Sequence, residues 1–175
     1  MKLPFLSPKD PMPPLTDAEC ESILNATGNS LRMALIVGFN SGISQREVLS
    51  IRRSDVDFKA QAIEVPTKDG SRRVVLPSAT MKKLEEYVRS HDSIYLFPLP
   101  DTNLSRQLKD VGRRGGIELN WQRVRSTYIK NAAKAGVPIL TCAHNVGTNP
   151  ANILSYFRLS PEEERNAINQ INSKG

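Results

Sequence analysis

The sequence is poor in the residues that build metal centres and covalent frameworks. It has two cysteines, Cys20 and Cys142, and two histidines, His91 and His144, among 175 residues. None stands at metal-ligand spacing from another, so neither a metal site nor a disulfide is expected, and the free thiols suit a reducing compartment. Long apolar runs are also lacking. The longest, around Met33 to Phe39, is far short of the roughly 20 residues a membrane helix needs. The proline-interrupted start, Met1-Lys2-Leu3-Pro4-Phe5, has no sustained apolar segment and is not expected to be a signal peptide. Acidic excess is absent: 24 Lys and Arg against 18 Asp and Glu leave a net charge of +6. That balance favours a polyanionic partner over a small-molecule substrate or a membrane, and nothing in the chain calls for a cofactor.

What is present describes one globular unit. Hydrophobic residues make up 39% and charged residues 24%, ordinary values for a chain with a packed core. Residues 1–15 carry five prolines (Pro4, Pro8, Pro11, Pro13, Pro14) and read as an extended arm or linker remnant. Residues 16–175 read as a single domain. Thr16-Asp17-Ala18-Glu19 and Ser44-Gln45-Arg46-Glu47 are capping boxes that start helices, and Ser160-Pro161-Glu162-Glu163 is a third. A helix through Leu31, Ala34, Leu35 and Gly38 should end near Ser41-Gly42. Ile63 and Val65, then Val74 and Leu76, alternate as strands around an Asp69-Gly70 hairpin turn. Helices are expected over 78–90, 103–113, 122–135, 138–145 and 149–157, with a short strand or buried turn at 94–98. Helices, a small sheet, then helices make a mainly helical α+β domain.

Positive charge concentrates in one stretch. Arg106, Lys109, Arg113, Arg114, Arg123, Arg125, Lys130 and Lys134 face only Asp101, Asp110 and Glu118 between residues 101 and 135. A solvated helix face would look the same, but a phosphate-facing surface is favoured, with Arg106, Lys109, Arg113, Arg114, Arg123 and Lys130 as its candidate DNA contacts.

Four segments in order resemble the catalytic domain of tyrosine recombinases, the phage integrase family. Ser41-Gly42-Ile43-Ser44-Gln45-Arg46-Glu47-Val48-Leu49, followed by Ser54-Asp55-Val56-Asp57, is similar to the family's T-G-L-R-x-x-E-L-L…D-I-D box. Thr67-Lys68-Asp69-Gly70-Ser71-Arg72-Arg73-Val74-Val75-Leu76-Pro77 resembles its T-K-T-G-x-x-R-x-V-P-L hairpin. Gln122-Arg123-Val124-Arg125 with Ala135-Gly136-Val137 matches H-x-L-R…A-G-V. Gly147-Thr148-Asn149-Pro150 to Tyr156-Phe157-Arg158 resembles G-[HN]-S-P…H-Y-R. Each box alone is weak; four at near-family spacing over residues 15–172 are specific.

The resemblance implies a helical bundle with a small antiparallel sheet on one edge, and metal-free DNA strand cleavage and rejoining. In that chemistry a tyrosine attacks the phosphodiester, two arginines clamp the phosphate, a hairpin lysine protonates the leaving oxygen, and histidines assist. Carried over position by position, the first arginine falls on Ser44, which supplies no cation and is explained as a helix N-cap. Arg46 should point to the opposite side. The lysine falls on Lys68 and the second arginine on Arg125. Arg125 shares a helix side with Ile129 and Ala132 and therefore leans inward, either paired with Glu47 or waiting for phosphate. The first histidine falls on Gln122 and the later one on Thr148, with His144 a substitute only through a remodelled loop. The nucleophile falls on Phe157, which has no oxygen; Tyr156 would serve only if the register slips.

The resulting expectation is a DNA-binding, cleavage-deficient relative. An active recombinase using Tyr156 and a protein-interaction module reusing the fold are the alternatives. Duplex DNA is the expected partner, with other recombinase protomers as further ones, in the cytoplasm and with the nucleoid if the source is bacterial. The family's N-terminal helical clamp domain has only the proline-rich arm in its place here, which should weaken DNA affinity. Ala167, Ile168 and Ile171 form an apolar stripe on the last helix, expected to pack against the body of its own chain rather than a neighbour.

Overall fold

In the computed structural model, residues 13–99 and 103–172 are described. Most of the proline-rich arm, residues 1–12, lies outside them.

The chain is helical at both ends with a small sheet between. Helices α1 (Asp17–Asn25), α2 (Asn29–Ser41) and α3 (Gln45–Ser50) come first, followed by a 3-10 turn at Arg53–Asp55. Strands β1 (Val56–Asp57), β2 (Ala62–Thr67) and β3 (Gly70–Val75) form an antiparallel sheet in sequence order. Helices α4 (Ser78–Val88), α5 (Leu104–Gly115), α6 (Trp121–Lys134) and α7 (Ile139–Val146) follow. Two 3-10 turns, Pro150–Asn152 and Leu154–Phe157, then lead to α8 (Pro161–Asn172). The mainly helical α+β expectation holds.

Local chemistry sets the boundaries. Thr16 and Ser44 each accept from the backbone N–H three residues on, and Glu19 and Glu47 reach back to the cap N–H groups. Ser160 and Glu163 repeat the arrangement ahead of α8. Gly42 ends α2 in the left-handed region at φ 67°. Any Cβ there would stand only 2.5 Å from the Tyr128 ring. The strand register pairs Thr67 with Gly70, so the two turn residues are Lys68 and Asp69 rather than Asp69 and Gly70. Residues 94–98 form no strand; Tyr95 makes one isolated bridge to Arg52.

Two apolar cores lie end to end along α6. The larger joins α1 to α5 and the sheet and includes Leu35, Val48, Ile63, Val74, Trp121 and Val124. The smaller collects Tyr128, Ile129, Ala132, Cys142, Ala143, Val146 and Ile153. Trp121 is buried and donates from its indole to the Ile43 carbonyl at 2.8 Å, which makes it a core residue. Arg125 falls at the seam, one residue past Val124 and three before Tyr128.

Two further expectations are corrected. Residues 149–157 do not form an α-helix: they make two 3-10 turns broken at Ile153, because Asn149 caps a tight turn over Pro150 and Ile153 is drawn into the smaller core. The stripe on α8 does not pack against its own chain, since Ala167, Ile168 and Ile171 are all exposed. No described helix is long and apolar enough to cross a membrane.

Candidate functional site

The chemistry gathers where α2, α3, β3, α6 and α7 meet. Capping fixes the first component, Glu47. Its Oε2 accepts from the Ser44 backbone N–H at 2.7 Å while the Ser44 hydroxyl accepts from the Glu47 N–H. Residue 44 is therefore a cap, as its sequence suggests.

The partner of Glu47 is Arg72. Its Nη1 donates to Oε1 at 2.8 Å and its Nη2 to Oε2 at 3.1 Å, and Nη2 also donates to the Asn145 carbonyl at 3.1 Å. Burial pushes the Glu47 carboxyl up, but the hydrogen bonds from Arg72 and Ser44 and the charge of Arg72 outweigh it and leave it below the ordinary carboxylate value. The expected alternative of a Glu47–Arg125 ion pair is thus overturned: Arg72 reaches the carboxylate first.

Arg125 is held by carbonyl oxygens instead. Its Nε donates to Gly42 at 2.9 Å and its Nη2 to Val146 at 2.8 Å. Burial draws its pKa below the usual guanidinium value, the Glu47 charge opposes that shift and the Arg72 charge adds to it. Arginine's intrinsic basicity still keeps it protonated at any working pH. Ile129 and Ala132 on the same side of α6 are buried, as the helical spacing requires.

The Asn145 and Val146 carbonyls end α7, where helical carbonyls lack backbone partners and carry partial negative charge. Gly147 then turns the chain at φ 71°, and any Cβ there would sit 2.8 Å from Arg72 Nη1. Both guanidinium groups rest on this one helix end.

The remaining candidates are more scattered. Lys68 is exposed at the hairpin tip. Gln122 is exposed on the first turn of α6. His144 donates from Nε2 to the Arg73 carbonyl at 2.9 Å and so ties α7 to the hairpin. The Thr148 hydroxyl accepts from Asn152 at 3.1 Å. Tyr156 and Phe157 both lie half-buried against the smaller core, in a turn where neighbours diverge by about 120°. Arg46 lines a groove on the far side of α3 with Leu49, Arg52 and Tyr95, away from Glu47.

The basic cluster divides in two. Arg106, Lys109, Arg113 and Arg114 are exposed on α5. Arg123 and Lys130 have structural work: Arg123 donates to the Pro13 and Glu118 carbonyls at 2.9 and 2.6 Å, and Lys130 to the Leu15 carbonyl at 2.9 Å. Both strap the incoming chain onto α6. Arg72 was missed, although a signal existed. Val74 and Leu76 point inward, and a period of two places Arg72 on the same face.

No family model matches the chain. Among curated proteins it is 29% identical over 139 residues to the tyrosine recombinase XerA of Saccharolobus solfataricus, covering 76% of this chain and 47% of that protein. The crystal structure of a XerA recombinase superposes with a TM-score of 0.73 at 22% identity, over 94% of this chain and 66% of the other. The Tn1549 transposon integrase, solved in complex with transposon right end DNA, gives 0.75 at 14% identity, over 95% and 68%. The chain resembles tyrosine recombinases in sequence and in fold. Its fold is that of the family's catalytic domain, and it spans about half the length of the curated relative.

Proposed function

We propose that this tyrosine recombinase domain binds duplex DNA through phosphate contacts at the Arg125 site and does not cleave it. One observation carries the reading: Arg125 is half-buried and, among the described residues, is held by the Gly42 and Val146 carbonyls rather than by a carboxylate. A half-buried guanidinium without its own carboxylate is a standing site for an anion. The Tn1549 integrase, similar in fold, is solved on DNA, and exposed Arg106, Lys109, Arg113 and Arg114 extend the positive surface. Lys68 is the one family catalytic position besides Arg125 that keeps its residue type. The exposed stripe on α8 supports further protomers as partners, and a DNA-bound role supports a cytoplasmic, nucleoid-associated location.

The test is fluorescence anisotropy with a labelled 20-base-pair duplex across a salt series. Weak, sequence-tolerant binding is expected, with log Kd rising linearly with log salt. No binding at low salt, or binding indifferent to salt, refutes the reading and favours a protein-interaction module.

A further inference from the structure

We propose that Arg72 supplies, from strand β3, the guanidinium that position 44 lacks, so that Arg72 and Arg125 bind one phosphate group between them. The proposal rests on the reading of this site as a phosphate site and adds the residue that completes it.

Three observations place the two side chains in one site. Arg72 Nη2 and the Ser44 backbone N–H converge on the same oxygen, Glu47 Oε2, at 3.1 and 2.7 Å. The Arg72 guanidinium therefore lies beside residue 44, although it arrives from a different element. Arg72 and Arg125 also donate to consecutive carbonyls, Asn145 at 3.1 Å and Val146 at 2.8 Å, which sets the guanidinium groups side by side over one helix end. Gly147 leaves the room for this, since any larger residue would strike Arg72.

The charge count points to an anion. Two guanidinium groups face one carboxylate, and Glu47 is the acid whose charge acts on Arg125. One positive charge is left over where water is partly excluded, and a phosphodiester carries the single negative charge that balances it. Donors are also left over. Arg72 has a side chain only 10% exposed, and its buried Nε–H has no partner among the described residues. Burying such a donor unsatisfied is costly, and a resident anion oxygen would relieve it.

A purely structural Arg72 would also hold Glu47 and cap α7, and the experiment separates the two roles. The first arm titrates the full chain with inorganic phosphate at constant ionic strength and follows arginine side-chain 15N resonances. Arg72 Nε–H and the Arg125 side chain should shift saturably with one common constant. Saturable shifts at Arg125 alone, or at neither, overturn the proposal whatever DNA does. The second arm replaces the ion pair by a neutral one, Arg72→Gln with Glu47→Gln, which leaves the net charge unchanged. Duplex affinity should fall about tenfold or more, the worth of a charge-assisted contact; an unchanged affinity in a folded variant overturns the proposal. If phosphate titrates both arginines but wild-type protein binds no duplex, the arginine pair stands and the DNA reading falls.

Discussion

Arg72 and Glu47, 25 residues apart, grip each other through two parallel hydrogen bonds of 2.8 and 3.1 Å. The pair joins the hairpin to α3, and its side chains are only 10% and 18% exposed. Removing one partner strands the other's charge. Arg72→Ala should therefore destabilise the fold by roughly 2–4 kcal/mol, at or just under the ~3–5 kcal/mol of a fully buried pair. Arg72→Gln with Glu47→Gln should cost clearly less than the sum of the two single changes, because no lone charge remains. Urea denaturation of wild type, Arg72→Ala, the two single glutamine variants and the double variant checks both statements, and strictly additive losses would mean that the pair contributes nothing.

The same contact sets an acid limit. The Glu47 carboxyl titrates below its ordinary value of 4.5 when folded, because Arg72 and the Ser44 N–H outweigh its burial. A depressed folded pKa means stability that is complete above the unfolded value and lost as pH falls through the folded one. The stability gap between wild type and Glu47→Gln should thus be constant from pH 7 to about 5.5 and shrink steadily in more acid solution. Chemical denaturation at pH 7, 5, 4 and 3 reads this directly. A gap that widens toward acid would show that the carboxyl is raised instead.

Gly147 offers a sharper probe because it is constrained twice. Its left-handed φ of 71° disfavours any side chain, and the added Cβ would lie 2.8 Å from Arg72 Nη1. Strain alone should cost Gly147→Ala roughly 1–2 kcal/mol. The displaced Arg72 adds to that, so the loss should exceed that of Gly136→Ala, whose φ is 76° but whose Cβ would meet nothing. Equal losses in two thermal melts would show that Gly147 is not reserving space for the arginine.

How much of this was legible in the sequence follows from the range of the interactions. Capping boxes act over three residues, so Thr16, Ser44 and Ser160 marked their helix starts correctly. Alternation of Ile63, Val65, Val74 and Leu76 gave the hairpin because sheet faces repeat every two residues. The Glu47 partner was not legible: the choice between Arg125 and Arg72 depends on how deeply the hairpin tucks against α3 and α7, a long-range packing outcome. Arg123 and Lys130 looked like surface cations for the same reason. The path of residues 13–15 along α6 gives both of them carbonyls to bind. The 149–157 segment failed as a helix because Asn149 and Pro150 start a turn as readily as a helix, and the pull of Ile153 into the smaller core decided between them.

Exposure of α8 leads to a prediction about independence. All its residues from Pro161 to Ile171 are exposed, so deleting residues 160–175 should leave the melting temperature of the remaining domain within about a degree or two, as for surface changes without buried contacts. The apolar Ile168 and Ile171, 57% and 68% exposed, should instead favour contact between copies. Sedimentation velocity should show association that weakens on deletion. A large drop in melting temperature, with no change in association, would mean that α8 docks on its own chain after all.

The remaining prediction concerns cleavage. Attack on phosphorus needs an oxygen held about 3–3.5 Å away and in line with the leaving group, and Phe157 has none. Tyr156 sits in a 3-10 turn packed against the smaller core with Phe157, and a turn of three residues sends neighbouring side chains about 120° apart. The two positions therefore cannot present the same atom to one phosphate without the turn being rebuilt. Incubation with a pool of nicked duplexes, followed by denaturing capture of protein-linked DNA and peptide mass spectrometry, should yield no phosphotyrosyl adduct from the native chain. Phe157→Tyr should restore at most a trace, because Gln122 and Thr148 still stand where the family has acid–base groups and each missing preorganised donor costs on the order of a hundredfold to a thousandfold in rate. Adding Ser44→Arg should not help. It removes the cap of α3 and brings a third guanidinium to a carboxylate that Arg72 already occupies. A clear gain from Ser44→Arg would show that Arg72 does not stand in for the missing arginine, and an adduct on Tyr156 in the native chain would show that the domain cleaves DNA with a shifted nucleophile.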